Sequence, residues 1–153
     1  MYPLHEDHKG NLWVTSATGP WRWAPGPPTR YALPLGVRFV TALADDDSGR
    51  LLAGTSDGLK QLVDRKIEND AVRGITSPFI WSFLRSRDAD LWIGTTLGLL
   101  RLHQGRVDRF SLVDGLSSDF VNAMFEDREG SVWVATRGGL DRFRELLCFG
   151  IDC

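Results

Sequence analysis

The densest group of side chains that could bind a metal is His5-Glu6-Asp7-His8. Imidazole and carboxylate groups are common ligands of divalent cations. The corresponding place in the last copy of the chain's internal repeat, however, holds Phe125-Glu126-Asp127-Arg128, whose composition is typical of a strand end and a turn. Because ligand-type residues without partners elsewhere are weak support for a site, the group is interpreted as a solvated turn. We predict no metal site and no cofactor.

Two other groups could carry chemistry. Asp45-Asp46-Asp47-Ser48-Gly49 is rich in carboxylates, but it lacks the alternating ligand spacing and the closing glutamate of a calcium loop. Ser117 and Ser118 lack the Gly-x-Ser-x-Gly setting of a nucleophile and have no histidine placed by a repeat to activate them. With three histidines and no repeated acid–base pair, the chain is predicted not to be an enzyme.

A repeat of about forty residues organises the chain. ADLWIGTTLGLLRL at 89–102 has relatives at 10–23, 49–62 and 130–143. The residues that anchor the four copies are Trp13, Leu52, Trp92 and Trp133, which lie 39, 40 and 41 residues apart, and the glycines that close the second turn include Gly58, Gly98 and Gly139. A period of this length is typical of stacked or radially arranged units.

Each unit is predicted to contain short strands joined by tight turns. In the fourth copy the strands are expected at 121–126, 131–136 and 140–144, and the third copy adds a fourth strand after a turn at Gln104-Gly105. Connections this short permit only antiparallel neighbours, so the unit is a four-stranded meander. In the first copy, Pro25, Pro27 and Pro28 interrupt the fourth strand, because proline cannot donate a hydrogen bond to a sheet.

The strand LWIGT has little apolar–polar alternation, so both of its faces are expected to be covered. Sheets covered on both faces and repeated every forty residues predict an all-β protein made of β-propeller blades. The predicted blades are 1–36 (degenerate), 37–76, 77–117 and 118–153 (with a divergent C-terminal tail), forming one repeat domain. The alternative fold, a single β-sandwich, would not require the same side chains to recur at equivalent positions of every unit.

Four blades are expected to form an open arc, although closure into a small propeller is an alternative. An open arc leaves blade faces and strand edges uncovered. We therefore expect self-association, with two copies pairing to complete a ring.

Candidate ligand-binding residues lie in the loops at one end of the blades. The connectors at 34–40, 74–80 and 115–121, which carry Phe39, Phe79 and Phe120, meet the second turn of each unit at the same end of a meander. Propeller sites form where such loops converge. The candidates are Arg38, Ser77, Trp81, Asp119, Asn122 and Arg137. The alternative is that they are solvated loop residues or interblade contacts.

The composition excludes some classes of partner. The net charge is −2 and neither sign forms a long block, which argues against a nucleic-acid binder. No apolar run reaches the length of a membrane span, and no signal peptide opens the chain, which begins in the middle of the repeating pattern as a fragment would. Cys148 and Cys153 are too few for a disulfide framework, and their redox state is left open.

Residues 121–143 fit the pattern V-x-A-x-x-E-D-x-x-G-x-x-W-x-A-T-x-x-G-L-x-R-F, and LWIGTTLGLLRL repeats part of it. This pattern resembles the two-component regulator propeller repeat, which occurs in tandem in the sensor regions of bacterial histidine kinases and hybrid two-component systems. The resemblance implies a β-propeller, usually periplasmic, that senses a small polar molecule such as a carbohydrate. The chain departs from the family in having four repeats and no linker domain, membrane span or kinase motif.

The predicted function is therefore that of a non-catalytic sensory β-propeller fragment. A protein interaction scaffold and an inactive remnant of a truncated sensor kinase gene are the alternatives.

Overall fold

The computed structural model describes residues 3–69, 75 and 79–144 of the 153-residue chain. These residues form four antiparallel sheets in chain order. The first contains β1 (Leu4–Glu6), β2 (Leu12–Ser16), β3 (Gly19–Trp23) and β4 (Thr29–Arg30). The second contains β5 (Val40–Asp45), β6 (Leu51–Thr55), β7 (Gly58–Val63) and β8 (Lys66–Asn69). The third contains β9 (Ile80–Arg85), β10 (Leu91–Thr95), β11 (Gly98–His103) and β12 (Arg106–Phe110). The fourth contains β13 (Val121–Glu126), β14 (Val132–Thr136) and β15 (Leu140–Phe143), and a short 3₁₀ turn at Leu112–Asp114 precedes it.

Every sheet is a meander in which each strand pairs with the next one along the chain. This confirms the prediction of an all-β chain built from repeated antiparallel blades. In the first sheet, the proline-rich stretch leaves a fourth strand of two residues at the sheet edge. Among the described residues no helix is long and apolar enough to cross a membrane. The tail at 145–153, with Cys148 and Cys153, lies outside the described residues.

Aspartates build the first turn of three of the blades. Oδ1 of Asp7 accepts the backbone N–H groups of Lys9 and Asn11. Asp46 and Asp127 do the same in the second and fourth sheets, two and four residues along the chain. An aspartate that bonds its own backbone in this way stabilises a tight turn. The acidic stretches that resembled metal-binding motifs thus serve the hairpins.

The second turns of the first and third blades depend on close backbone approach. In the third sheet, a Cβ added to Gly98 would lie 2.6 Å from the carbonyl oxygen of Phe110, and the φ of Gly98 is +118°. Only glycine fits such a position without displacing the neighbouring strand. The glycine at this position has a positive φ in all four sheets, which accounts for its recurrence.

Apolar clusters between successive sheets hold the blades together. Trp13 packs with Val40, Leu43, Leu51 and Ala53 between the first and second sheets. Two further clusters join the second sheet to the third and the third to the fourth; their central residues are Leu52, Ile80, Ile93, Trp92, Val121 and Val134. In the described part of the chain the four blades form an open arc that does not close, as predicted.

Three of the four repeat anchors are enclosed between blades. Trp13, Leu52 and Trp92 are 4%, 0% and 5% exposed. Trp133 is half-buried, because Val132 and Val134 of the same strand face the third sheet and strand alternation turns Trp133 to the opposite side. The anchor position is therefore a packing position wherever a following blade exists.

Candidate functional site

The first strands of the blades lie next to one another along the inside of the arc, with β5, β9 and β13 in sequence. At one end of these strands, the interblade connector meets the second turn of its own blade. Backbone N–H groups of Ser56, Thr96 and Arg137 donate to the carbonyl oxygens of Phe39, Phe79 and Phe120, at 3.3, 3.3 and 3.1 Å. Both loops therefore meet at one end of the arc, as the meander predicted.

A β-bulge recurs at the second residue of each of these first strands. The register of β5 against β6 skips Thr41, that of β9 against β10 skips Trp81, and that of β13 against β14 skips Asn122. A bulged residue leaves the regular alternation, and its side chain is redirected. The bulges thus present three different side chains at equivalent positions on the inside of the arc.

Four aromatic rings form a continuous row across three blades at this end. The ring centroids of Phe39 and Phe79 are 5.7 Å apart, those of Phe79 and Trp81 are 4.6 Å apart, and those of Trp81 and Phe120 are 5.6 Å apart. These spacings are those of favourable aromatic pairs. Phe39 and Trp81 are each 38% exposed. The axial aromatic row, as we call these four residues, therefore offers ring surface to solvent.

Arg137 lies at one end of the axial aromatic row. Its guanidinium carbon is 3.7 Å from the ring centroid of Phe120, a cation–π contact. The side chain is nevertheless exposed, as is that of Asn122 on the neighbouring bulge. Arg137 and Asn122 supply polar donors and acceptors beside the apolar surface.

The remaining ligand-binding candidates predicted from the sequence lie in different environments. Arg38 is exposed beside Phe39, and its backbone N–H donates to Oγ of Ser56 at 3.1 Å. Asp119 is engaged in the fold, because its Oδ1 accepts the N–H of Leu112 at 2.7 Å and its carbonyl accepts the N–H of Gly98 at 2.7 Å. Ser77 lies outside the described residues.

Sequence reasoning placed Trp81, Asn122 and Arg137 at this end but did not identify the phenylalanines as part of one surface. Their recurrence immediately before each first strand was the available signal. Thr41 was also missed; its hydroxyl oxygen lies 3.0 Å from the carbonyl oxygen of Gly54 and close to that of Ile80 in the next blade, so that the single O–H proton is shared between these two acceptors. In the second blade the bulged residue Thr41 therefore contacts the third blade and directs its hydroxyl there rather than to solvent.

Titratable groups with displaced pKa values lie in the first turns. Burial raises the pKa of Asp7, but hydrogen bonds from the Trp13 indole, from Asn11 and from Lys9 outweigh it and lower the pKa overall. Donation from the Trp133 indole N–H, 2.8 Å from Oδ2, lowers the pKa of Asp127. Both carboxylates are thus committed to hydrogen bonds that hold the blade turns.

The histidines of the first blade face the second blade. Nε2 of His5 is 3.6 Å and Nδ1 of His8 is 3.8 Å from the carboxylate of Asp45. No group of three or more histidine, cysteine, aspartate or glutamate side chains within the described ranges is arranged to hold a metal ion. The predicted turn at His5-Glu6-Asp7-His8 therefore makes interblade contacts.

Residues 115–138 match the family described as two component regulator propeller. No curated protein matches the chain in sequence. Among solved structures, the extracellular domain of the hybrid two component system BT3049 from B. thetaiotaomicron is similar, with a TM-score of 0.76 and 22% identity over 92% of this chain and 21% of that one. The extracellular domain of BT4673 from the same organism gives a TM-score of 0.74 and 21% identity over 94% and 21%.

A third similar structure is virginiamycin B lyase from Staphylococcus aureus, with a TM-score of 0.63 and 15% identity over 92% of this chain and 54% of that one. At these identities the likeness shows the fold alone. The chain spans about a fifth of the length of the two extracellular domains. The described residues thus form an open arc of four β-propeller blades, in which residues 115–138 match the two component regulator propeller family.

Proposed function

We propose that this chain is a sensory module that binds a small polar ligand on the axial aromatic row. The observation that carries the proposal is a row of four aromatic rings, partly exposed and ending at Arg137, built from equivalent positions of three blades. Exposed rings gathered on one surface are costly unless they meet a partner, since large aromatic groups usually bury most of their area.

The ligand class follows from the chemistry of this surface. Aromatic faces carry negative partial charge and attract the C–H groups of a saturated ring. A saccharide combines such C–H faces with hydroxyl groups at its edge, which Asn122 and the guanidinium of Arg137 are suited to bind. A carboxylated sugar would gain a charged hydrogen bond from Arg137. We therefore propose a saccharide, with an acidic one favoured.

The comparisons support a sensory role and a place outside the cytoplasm. Two similar structures are named as extracellular domains of one or two component systems, and the matched repeat is described as a two component regulator propeller. By analogy we propose that the chain acts in the periplasm, binds rather than converts its ligand, and belongs to the input side of a two-component sensor.

The test is a titration of a panel of neutral and uronic oligosaccharides against the full chain, followed by tryptophan fluorescence and calorimetry. Trp81→Ala is expected to weaken binding about tenfold or more, which corresponds to about 1.4 kcal/mol. Arg137→Gln is expected to weaken binding of uronic members more than that of neutral ones. Trp23→Ala is the matched control, because Trp23 is 44% exposed but lies on the outer face of the first sheet.

Two results would reject the proposal. One is that no member of the panel binds. The other is binding that Trp81→Ala and Trp23→Ala affect equally, which would place the ligand elsewhere. Circular dichroism and the oligomeric state of each variant are measured alongside, so that a folding or assembly defect is recognised as such.

A protein interaction scaffold is the second candidate function. The observation that favours it is the large apolar side chains that stay exposed on the outer faces of the first and last sheets, among them Leu4 and Phe125. An exposed apolar surface of this kind commonly marks a contact with another protein.

A further inference from the structure

A groove runs between the first and second blades, at the end of the arc opposite the axial aromatic row. In a meander, the first and third turns lie at one end, and the second turns and connectors lie at the other. The groove is bordered by the first turn of the first blade and by the turn at Asp64-Arg65, between β7 and β8. Its volume is about 500 Å³, which is within the range of small-molecule sites.

Three cationic side chains line this groove, which we call the basic groove: Lys9, Arg22 and Arg65. Lys9 and Arg65 are exposed and lie on the two borders, one in each blade, whereas Arg22 is half-buried. Within the described part of the chain, none of the three side chains forms an ion pair. The groove therefore presents positive charge that the described residues do not neutralise.

The carboxylates beside the basic groove are mostly engaged in the fold. Oδ2 of Asp7 accepts the indole N–H of Trp13 at 2.8 Å, and Oδ2 of Asp45 accepts the backbone N–H of His8 at 2.9 Å. Asp64 is exposed on its turn, and among the described residues it forms no ion pair. Three unpaired cations thus stand against one unpaired carboxylate.

Arg22 is one of three arginines that strand register places opposite the tryptophan of the repeat anchor. The others are Arg101 and Arg142. Nε of Arg101 donates to the carboxylate of Asp90 at 2.5 Å, and the guanidinium of Arg142 lies 3.4 Å from the carboxylate of Glu129. The third and fourth blades therefore each supply a carboxylate to this arginine.

The first blade supplies none. The guanidinium carbon of Arg22 lies 6.0 Å from the ring centroid of Trp13, and its Nε is buried without a hydrogen-bond partner among the described residues. Asn11 holds the position of Asp90, two residues before the anchor, and its amide donates to Asp7 at 2.9 Å. Leaving a charged donor without an acceptor is costly, so Arg22 is poised to take an acceptor from outside the chain.

We propose that the basic groove binds a small organic acid with two or more carboxylates, one of which pairs with Arg22 as Asp90 pairs with Arg101. A hydrogen bond between a guanidinium and a carboxylate is roughly twice as strong as one between neutral groups. The remaining carboxylates meet Lys9 and Arg65 at the borders. Leu51 and Leu62, which also line the groove, face the carbon chain of the ligand.

The proposal does not depend on the saccharide site, because the axial aromatic row lies at the other end of the blades. Citrate binding that fails would leave the saccharide proposal standing, and the reverse also holds. Trp81→Ala is expected to leave citrate binding unchanged.

Calorimetric titration of the full chain with citrate, glutarate and acetate at constant ionic strength tests the proposal. Affinity is expected to rise with the number of carboxylates, with acetate the weakest. Arg22→Gln is expected to weaken citrate binding about tenfold or more, and Arg65→Gln about threefold or more. Arg30→Gln is the matched control, since Arg30 is an exposed arginine of the same sheet that does not line the groove, and it is expected to leave binding unchanged.

A double variant tests the missing carboxylate directly. Asp7→Ser with Asn11→Asp reproduces Ser86 and Asp90 of the third blade. It supplies Arg22 with a carboxylate from the chain while all three cations of the groove remain. Citrate binding is therefore expected to fall as far as in Arg22→Gln. Circular dichroism and the melting temperature show whether each variant is folded, and if Arg22→Gln does not fold, Arg65→Gln and the double variant decide.

Three outcomes would overturn the proposal. One is that neither citrate nor glutarate binds. Another is citrate binding that the groove variants affect no more than Arg30→Gln does. The third is inorganic sulfate binding as tightly as citrate, which would show a general attraction of anions in place of a carboxylate site.

Discussion

Replacing Trp92 by alanine tests the role of the repeat anchor directly. Trp92 lies between the third and fourth blades with Leu99, Val132 and Val134, and its ring centroid is 5.3 Å from that of Phe143. It is 5% exposed, so its removal leaves a cavity that packed blades on both sides cannot collapse to fill. We expect Trp92→Ala to lower the free energy of unfolding by about 3–5 kcal/mol.

Trp133→Ala is the matched comparison, because Trp133 holds the same repeat position on the outer face of the last sheet. Water can occupy the space that this indole leaves, so no closed cavity forms. The loss of burial and of the hydrogen bond from the Trp133 indole to Asp127 together predict a cost of about 2–3 kcal/mol, which stays below that of a closed cavity. Urea unfolding followed by far-ultraviolet circular dichroism measures both costs, at a protein concentration where sedimentation shows only monomer.

Trp92→Phe separates ring packing from hydrogen bonding. The indole N–H of Trp92 has no hydrogen-bond partner among the described residues, because Ser86 stands where the first and fourth blades have the aspartate that accepts this N–H. The phenylalanine variant should therefore cost less than about 1.5 kcal/mol, as other conservative apolar exchanges do. Equal costs for Trp92→Ala and Trp133→Ala, or a near-neutral Trp92→Ala, would refute the assignment of Trp92 to an enclosed interblade core.

Two further predictions concern the first turns. Ala89 has a φ of +65° where the other blades have glycine, so Ala89→Gly should stabilise the chain by about 0.5–1 kcal/mol. Gly130 has a φ of +82°, so Gly130→Ala should destabilise the chain by a similar amount. A lower melting temperature for Ala89→Gly, or a higher one for Gly130→Ala, would contradict this reasoning. Because the pKa values of Asp7 and Asp127 are lowered in the folded state, their contribution to stability is complete above the unfolded aspartate pKa and is lost as the pH falls below about 4. In Asp7→Asn, the free energy of unfolding measured by urea titration should fall less steeply between pH 5 and about pH 2 than in the wild type. The same pH dependence in both proteins would show that Asp7 does not contribute to this loss of stability.

The blade architecture was predictable because its determinants are local. The turn at Asp127 needs only a carboxylate that reaches two backbone N–H groups within four residues, and the strands need only short apolar runs between such turns. Because the repeat has a period of about forty residues, equivalent side chains occupy the same position in each blade. The burial of Trp13 and Trp92 could therefore be predicted from the sequence.

The candidate site was predictable only in part. Meander topology was sufficient to bring Trp81, Asn122 and Arg137 to one end of the arc. It could not reveal that Trp81 and Asn122 are bulged residues, since a bulge is defined by the register of the partner strand. Nor could it separate Arg137, which is exposed beside Phe120, from Asp119, whose carboxylate is used by its own connector.

The sequence by itself determined the repeat, the strands, the turns and the residue types that face the neighbouring blade, because each depends on residues close along the chain. Tertiary structure decided that Phe39, Phe79, Trp81 and Phe120 form one row, because their ring spacing depends on how far each blade is displaced from the previous one. It also decided that Phe125 and Leu140 remain exposed, because burial at those positions requires a sheet that the four described blades do not supply.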